Sequence, residues 1–165
     1  MLGNWNRLLA KRGGIMLHYD DSCSDASAQE WLLKDPACHV SYNKLFLDNG
    51  DVVQIAPDEA RAWHAGVCKP SNPRLQYRDA NSYFFGFAIA ANGKDHIKPA
   101  QFDSLVRVCV EKFRLFGWTK LDLWRISSHS LEAWPRGRKV DIEGTKKNDP
   151  VCSVEAVRAA VAAQL

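Results

Sequence analysis

The chain has 165 residues, 46% of them hydrophobic and 25% charged, with a formal net charge of +3 at pH 7. That length suits one domain, 1–165, with a substantial core, and the composition is ordinary for a soluble globular protein. The mild basic balance permits an anionic partner without requiring one, and no Lys/Arg run is dense enough for a nucleic-acid tail, so no nucleic acid is expected.

The five cysteines, Cys23, Cys38, Cys68, Cys109 and Cys152, include no CxxC pair, and their number is odd. That argues against a disulfide framework and for a reducing compartment; they read as small buried hydrophobes. The first residues lack a long apolar stretch with a small-residue cleavage site, so no signal peptide is expected. No apolar run approaches a membrane span, so no membrane insertion is expected.

Taken in order, residues 4–12 form either a short helix or an extended lead-in, broken by Gly13-Gly14. Ile15 to Tyr19 reads as a strand carrying His18 near its end. Ser24 or Asp25 caps a helix to about Lys34, with Trp31 and Leu32 facing inward, and Asp35-Pro36 stops it. Val40 to Leu47 reads as a strand with Val40, Tyr42, Lys44 and Phe46 on one face. Asp48-Asn49-Gly50-Asp51 is a hairpin signal, with Val52 to Ile55 as the return strand. Pro57 to Arg61 is a turn or short helix, and residues 67–80 form a polar loop.

Tyr83 to Ala90 is nearly continuous apolar sequence, as in a central strand buried on both faces. From Pro99 to Phe116, Phe102, Leu105, Val106, Cys109 and Phe113 follow a helical rhythm, and Gly117 stops it. Leu121 to Ser128 reads as a strand delivering His129. Residues 131–150 form a long loop, and Ser153 caps a last helix over 153–164. The alternation predicts an α/β or α+β fold, a mainly mixed β-sheet flanked by helices, without repeats or a second domain.

Both His18 and His129 sit where a strand gives way to a loop, a common place for functional groups in sheet enzymes. With Asp141 they offer two imidazoles and a carboxylate, which leaves a fourth zinc position open for water or substrate. The alternative is a pair of ordinary half-buried histidines with hydrogen-bonded rings, and spacing alone leaves both open.

Several motifs in order resemble the zinc-dependent N-acetylmuramoyl-L-alanine amidases, the superfamily that includes peptidoglycan recognition proteins. They are Leu17-His18 after an apolar run, Val40-Ser41-Tyr42 with the Asp48-Asn49-Gly50 turn, and Trp63-His64-Ala65-Gly66. Asn81-Ser82-Tyr83-Phe84-Phe85-Gly86-Phe87 and then His129 with Gly137-Arg138-Lys139-Val140-Asp141 complete the set, over residues 14–145. The resemblance implies one zinc ion held by His18, His129 and Asp141. It also implies cleavage of the amide between the lactyl group of N-acetylmuramic acid and L-alanine, with bacterial peptidoglycan as partner. Tyr42 and Lys139 are then the catalytic residues, and His64, Trp63, Trp134 and Arg136 are candidates for substrate binding.

Recycling amidases of this superfamily carry a glutamate base where this chain has Ala88. Short phage endolysins use a tyrosine and a lysine instead, which favours an endolysin acting as a monomer. Such an enzyme is made in the host cytoplasm and reaches the wall during lysis. A non-catalytic peptidoglycan-binding module and a cytosolic muropeptide-recycling amidase are the alternatives. The family's Asp-Pro is Asp141-Ile142 here, Asn43 stands where relatives often have histidine, and Cys23 is near enough to His18 to approach a metal. His39 and His96 read as solvent-facing.

Overall fold

The computed structural model of the chain describes residues 11–22, 24–35, 37–91, 97–139, 141–142 and 153–165. Most of the 4–12 segment, Cys23, His96 and Cys152 therefore lie outside the described residues. Five strands form one sheet: β1 Gly14–Tyr19, β2 Lys44–Phe46, β3 Val52–Gln54, β4 Phe84–Ile89 and β5 Ile126–Ser128, in the order β3-β2-β4-β1-β5. β4 runs parallel to β1 and β2, β5 parallel to β1, and only β2 and β3 are antiparallel. The sheet is mixed, as expected. The hairpin joining β2 to β3 turns at Gly50, whose φ of 88° suits a residue without a side chain.

The central strands β1 and β4 are buried at every position, which their continuous apolar sequences require. Their two faces differ in kind. Ile15, Leu17, Phe85, Phe87 and Ile89 join Phe46 in the main core. Against this face pack the helices α3 Pro99–Phe116 and α5 Val154–Gln164, through Leu105, Cys109, Phe113, Val157 and Val161. Each fully buried phenylalanine here contributes roughly 1.5–3 kcal/mol relative to exposure. Gln101 pins α3 to the sheet by donating to the carbonyls of Phe46 and Ala90. The other face carries His18, in register with Ala88, and the small residue Gly86 stands in register with Met16 on the same face. That leaves room above the sheet for polar side chains.

Ser24 caps the helix α1 Asp25–Lys34, and Ser153 caps α5. α3 ends at Gly117 in the left-handed conformation. Two short helices, α2 Ala80–Tyr83 and α4 His129–Glu132, precede β4 and follow β5. Among the described residues no helix is long and apolar enough to cross a membrane.

Four expectations need correction. The strand expected over Val40 to Leu47 is only Lys44–Phe46. Asn43 is fully buried, and its Oδ1 accepts from the Gly86 amide while its Nδ2 donates to the Pro57 carbonyl. A side chain thus replaces part of the ladder, and the alternation slips. Tyr42 packs with Leu45, Leu47, Ala28 and Ala88, on the side opposite Phe46. The strand expected from Leu121 begins only at Ile126, because Lys120–Arg125 is a 3-10 helix. Thr119 and Asp122 cap it reciprocally, a local signal stronger than the β-propensity of the Leu-Asp-Leu-Trp run. Trp31 is 42% exposed, and Ala28 is the buried residue of α1. Among the described residues Cys38 and Cys68 are half-buried, and only Cys109 is a core residue.

Replacing Asn43 with Ala strands the buried Gly86 amide. We expect a loss of about 1–3 kcal/mol in urea unfolding; an unchanged midpoint would show that the site does not need this side chain.

Candidate metal centre and its cleft

His18 comes from β1, His129 opens α4 after β5, and Asp141 lies on the chain beyond α4. Because β1 and β5 are adjacent and parallel, their carboxyl ends bring the two histidines together, with ring centroids 4.8 Å apart. The Ser130 amide donates to the Asp141 carbonyl and ties the third segment alongside. One nitrogen from each ring and one Asp141 oxygen lie within 4.8 Å of one another. Oδ2 of Asp141 is 3.2 Å from Nδ1 of His18 and 3.3 Å from Nδ1 of His129.

The far nitrogens decide what this triangle can hold. Nε2 of His129 lies 2.8 Å from the Ala65 carbonyl, which can only accept, so that nitrogen carries a proton. In a neutral ring Nδ1 is then a bare lone pair aimed at a carboxylate oxygen. Two acceptors face each other favourably only when a cation lies between them. Nε2 of His18 is 3.0 Å from Nδ1 of His64 and is likewise engaged away from the triangle. Three acceptor atoms turned to one point, each imidazole held through its other nitrogen, fit a divalent metal ion.

Charge and burial agree with this geometry. Burial lowers the His18 imidazole to about 4, against the raising effect of Asp141. Burial also pushes the Asp141 carboxyl up, but hydrogen bonds from His129 and His18, which form when Nδ1 of each ring carries a proton in place of a metal ion, outweigh it and hold the group well below the usual carboxylate range. Tyr42 has its ring centroid 5.1 Å from that of His18. Its hydroxyl is raised above the ordinary phenol value by burial first, then by Asp141 and Asp20, so it remains a donor at neutral pH.

A cleft of about 320 Å³ opens over the triangle, lined by Tyr42, His64, His129, Lys139, Asp141 and Asp20 among others. A second, of about 470 Å³, shares His64, His129 and Lys139 and continues past Arg61 and Trp63. The Arg61 guanidinium stacks on the Trp63 ring at 3.7 Å while paired with Asp79. Lys139 is exposed and borders both clefts.

The structure thus gathers His18, His129, Asp141, Tyr42, Lys139, His64 and Trp63 in one region. Trp134 and Arg136 do not line either cleft: Trp134 stacks under the Lys69 ammonium, and Arg136 donates to the Lys69 carbonyl. The 67–80 loop is fastened by Glu132, which is fully buried and accepts from the Ser71 amide, both the Ser71 and Ser127 hydroxyls, and Tyr77. His39 is exposed, as expected.

Sequence reading gives no role to Asp20, Asn81, Arg138 or Arg12. Asp20 directs one oxygen to Ser22 and the Ala91 amide, and its carboxyl is raised chiefly by burial. Arg138 donates to the Val67 carbonyl. Arg12, buried behind the site, donates to the carbonyls of Asn81 and Phe84. Asn81 and Arg138 stand inside the motifs quoted above, whereas nothing in the local sequence distinguishes Asp20 or Arg12 from surface polar residues.

The histidines predict a pH response for the protein kept metal-free with a chelator. An unfolded histidine titrates near 6.5, whereas His18 in the fold titrates near 4. Between those values the unfolded chain binds the proton and the folded chain does not. Stability is therefore complete above about pH 6.5 and falls as pH drops towards 4. His64, lowered by burial and then by His18, acts in the same sense. Asp141 contributes only at lower pH. From His18 alone the loss approaches about 3 kcal/mol, at about 1.4 per pH unit; an unchanged urea midpoint between pH 7 and pH 4.5 would contradict it.

A family model described as N-acetylmuramoyl-L-alanine amidase matches residues 10–151. Among solved structures, a selenomethionine derivative of AmpD is similar at 21% identity and a TM-score of 0.66, with 91% of this chain and 84% of that one covered. The amidase AmiD of E. coli, in complex with the substrate anhydro-N-acetylmuramic acid-L-Ala-D-gamma-Glu-L-Lys, is similar at 20% identity and a TM-score of 0.63. That match covers 80% of this chain and 52% of AmiD. The amidase LysC of Clostridium intestinale is similar at 15% identity and a TM-score of 0.63, over 90% of this chain and 84% of that one. At these identities the structural likeness is one of fold, a mixed sheet with flanking helices. No match was found among the curated proteins. The family model runs through both histidines, Asp141 and the cleft above them, and this chain belongs to the N-acetylmuramoyl-L-alanine amidase family.

Proposed function

We propose that this enzyme hydrolyses the amide between the lactyl group of N-acetylmuramic acid and L-alanine of the peptidoglycan stem peptide. In this reading it uses one zinc ion held by His18, His129 and Asp141. The observation that carries the reading is the convergence of two imidazole nitrogens and one carboxylate oxygen under the cleft, both rings being engaged through their other nitrogens. Two imidazoles and a carboxylate are a donor set that zinc takes, with a further position left for water or substrate. When bound, zinc polarises a carbonyl and makes water acidic enough to supply hydroxide near neutral pH.

The protein's own groups do the rest. Tyr42, kept protonated by burial and by nearby carboxylates, donates a hydrogen bond to the carbonyl oxygen as charge develops on it. Lys139, at the rim where the clefts meet, brings an ammonium to the same oxygen. Trp63, 61% exposed and held by Arg61, offers a flat face to the sugar or peptide. Trp134 and Arg136, outside the clefts, would meet only a longer stretch of polymer.

We assign the enzyme to the endolysin type, a monomer of one domain that is made in the host cytoplasm and reaches the wall during lysis. Ala88, which pairs with His18 across the β1–β4 ladder, presents a methyl group and no carboxylate base. The fold likeness to the endolysin amidase LysCS of C. intestinale, at 15% identity and a TM-score of 0.63, is compatible with this. Ala88 counts against cytosolic recycling, and the complete donor set counts against a pure binding module.

The test is mass spectrometry of purified peptidoglycan after incubation, with and without a chelator. Stem peptides beginning in L-alanine beside intact glycan are expected, and chelator should abolish them. Cut glycan would refute the reaction, and binding without cleavage would favour the binding module. Faster turnover of soluble anhydro-muropeptides than of intact sacculi would move the enzyme to recycling. His129→Ala should abolish turnover, and retained wall cleavage would remove that ligand. Tyr42→Phe and Lys139→Met should each lower kcat by about 10²–10³-fold with little change in KM; a change confined to KM would make them binding residues.

A further inference from the structure

The two candidate zinc histidines share one support. Nε2 of His18 meets Nδ1 of His64 at 3.0 Å, and Nε2 of His129 meets the carbonyl of Ala65, the next residue, at 2.8 Å. This pair of residues is itself anchored by a single side chain. Oδ1 of Asn81 accepts from the His64 amide at 2.9 Å and from the Ala65 amide at 2.8 Å. Asn81 and His64 are each only 5% exposed, and Ala65 is fully buried.

The His64 ring is seated with little slack. A Cβ on Gly86 would lie 2.5 Å from its Cδ2, so glycine at that strand position is what admits the imidazole. His64 stands edge-on to His18, with centroids 5.0 Å apart and planes at 79°. Its own Nε2 is buried without a hydrogen-bond partner among the described residues. His64 borders both clefts, but a side chain only 5% exposed and paired with His18 at 3.0 Å is better placed to orient that neighbour than to grip a substrate.

Resting on the zinc reading above, we infer that the His64–Ala65 pair, anchored by Asn81, positions both zinc histidines by fixing their ring orientation and turning Nδ1 of each towards the metal. With Nδ1 of His18 facing the ion, its Nε2 carries the proton and donates to Nδ1 of His64. The Ala65 carbonyl demands the same tautomer of His129. His64 and Asn81 are therefore positioning residues that set metal affinity, acting through His18 and His129 rather than on the substrate.

The test compares zinc dissociation constants, measured by competition with a chromophoric chelator, for the wild-type protein and three variants. His64→Phe keeps a ring over Gly86 but removes the acceptor. Zinc binding should weaken by roughly 10–100-fold, the usual cost of losing such a partner. His64→Asn returns an amide oxygen near the Nδ1 position and should recover most of the loss. Asn81→Ser leaves both histidines untouched, withdraws the anchor, and should weaken zinc by roughly tenfold; it also serves if His64→Phe does not fold. The visible spectrum of the cobalt-substituted protein should shift in His64→Phe and stay near wild type in His64→Asn.

Equal affinities for wild type, His64→Phe and Asn81→Ser would overturn the inference. Equal weakening by His64→Phe and His64→Asn would overturn it too, since ring shape and not the hydrogen bond would then matter. If the wild-type protein itself bound no zinc, the metal reading would fall, and this inference with it.

Discussion

Asp141 Oδ2 lies 3.2 Å from Nδ1 of one histidine and 3.3 Å from Nδ1 of another, and the far nitrogens of both rings are already engaged. A carbonyl fixes the proton of His129 on Nε2, so a lone pair and a carboxylate oxygen are forced to face each other. That arrangement is unfavourable by itself and favourable around a cation. Much of the architecture serves to impose it. β1 and β5 deliver the two histidines from adjacent parallel strands, and the backbone bond from Ser130 to Asp141 brings the third group back.

The sheet is asymmetric for the same reason. One face carries Phe46, Phe85, Phe87 and Ile89 against α3 and α5 and supplies most of the apolar burial. The other face is thinned at Gly86 and Ala88, and into that space fit His18, His64 and Tyr42. A larger residue at Gly86 would collide with the His64 ring and close the site. Burial then acts twice, holding Tyr42 protonated and His18 unprotonated at neutral pH, which are the states that donation and metal binding require.

How much of this could be read from the sequence depended on whether the signal was local. The buried strands at Gly14–Tyr19 and Phe84–Ile89, the Asn-Gly hairpin, and the helix from Pro99 to Gly117 announce themselves through runs, turn residues and caps. His18, His129 and Asp141 were legible because a short motif order carried them, and the structure gathers them. The break at Asn43 was not legible, since its cause is a hydrogen bond to Gly86, distant along the chain. At Lys120–Arg125 the apolar pattern points to a strand, while the Thr119–Asp122 capping pair sets a 3-10 helix. Trp134 and Arg136 looked like groove residues from their types alone, but their partners are Lys69 and its carbonyl. His64 was visible in its motif, while its hydrogen bond to His18 needed three dimensions.

X-ray absorption at the zinc edge on protein loaded with one equivalent of zinc tests the central claim most directly. The account predicts stoichiometric retention and a shell of nitrogen and oxygen donors at about 2.0–2.2 Å with two imidazole signatures. A sulfur shell at about 2.3 Å would place a cysteine such as Cys23 among the ligands. A fully hydrated ion, or no retained zinc, would contradict the claim that His18, His129 and Asp141 converge to hold a metal.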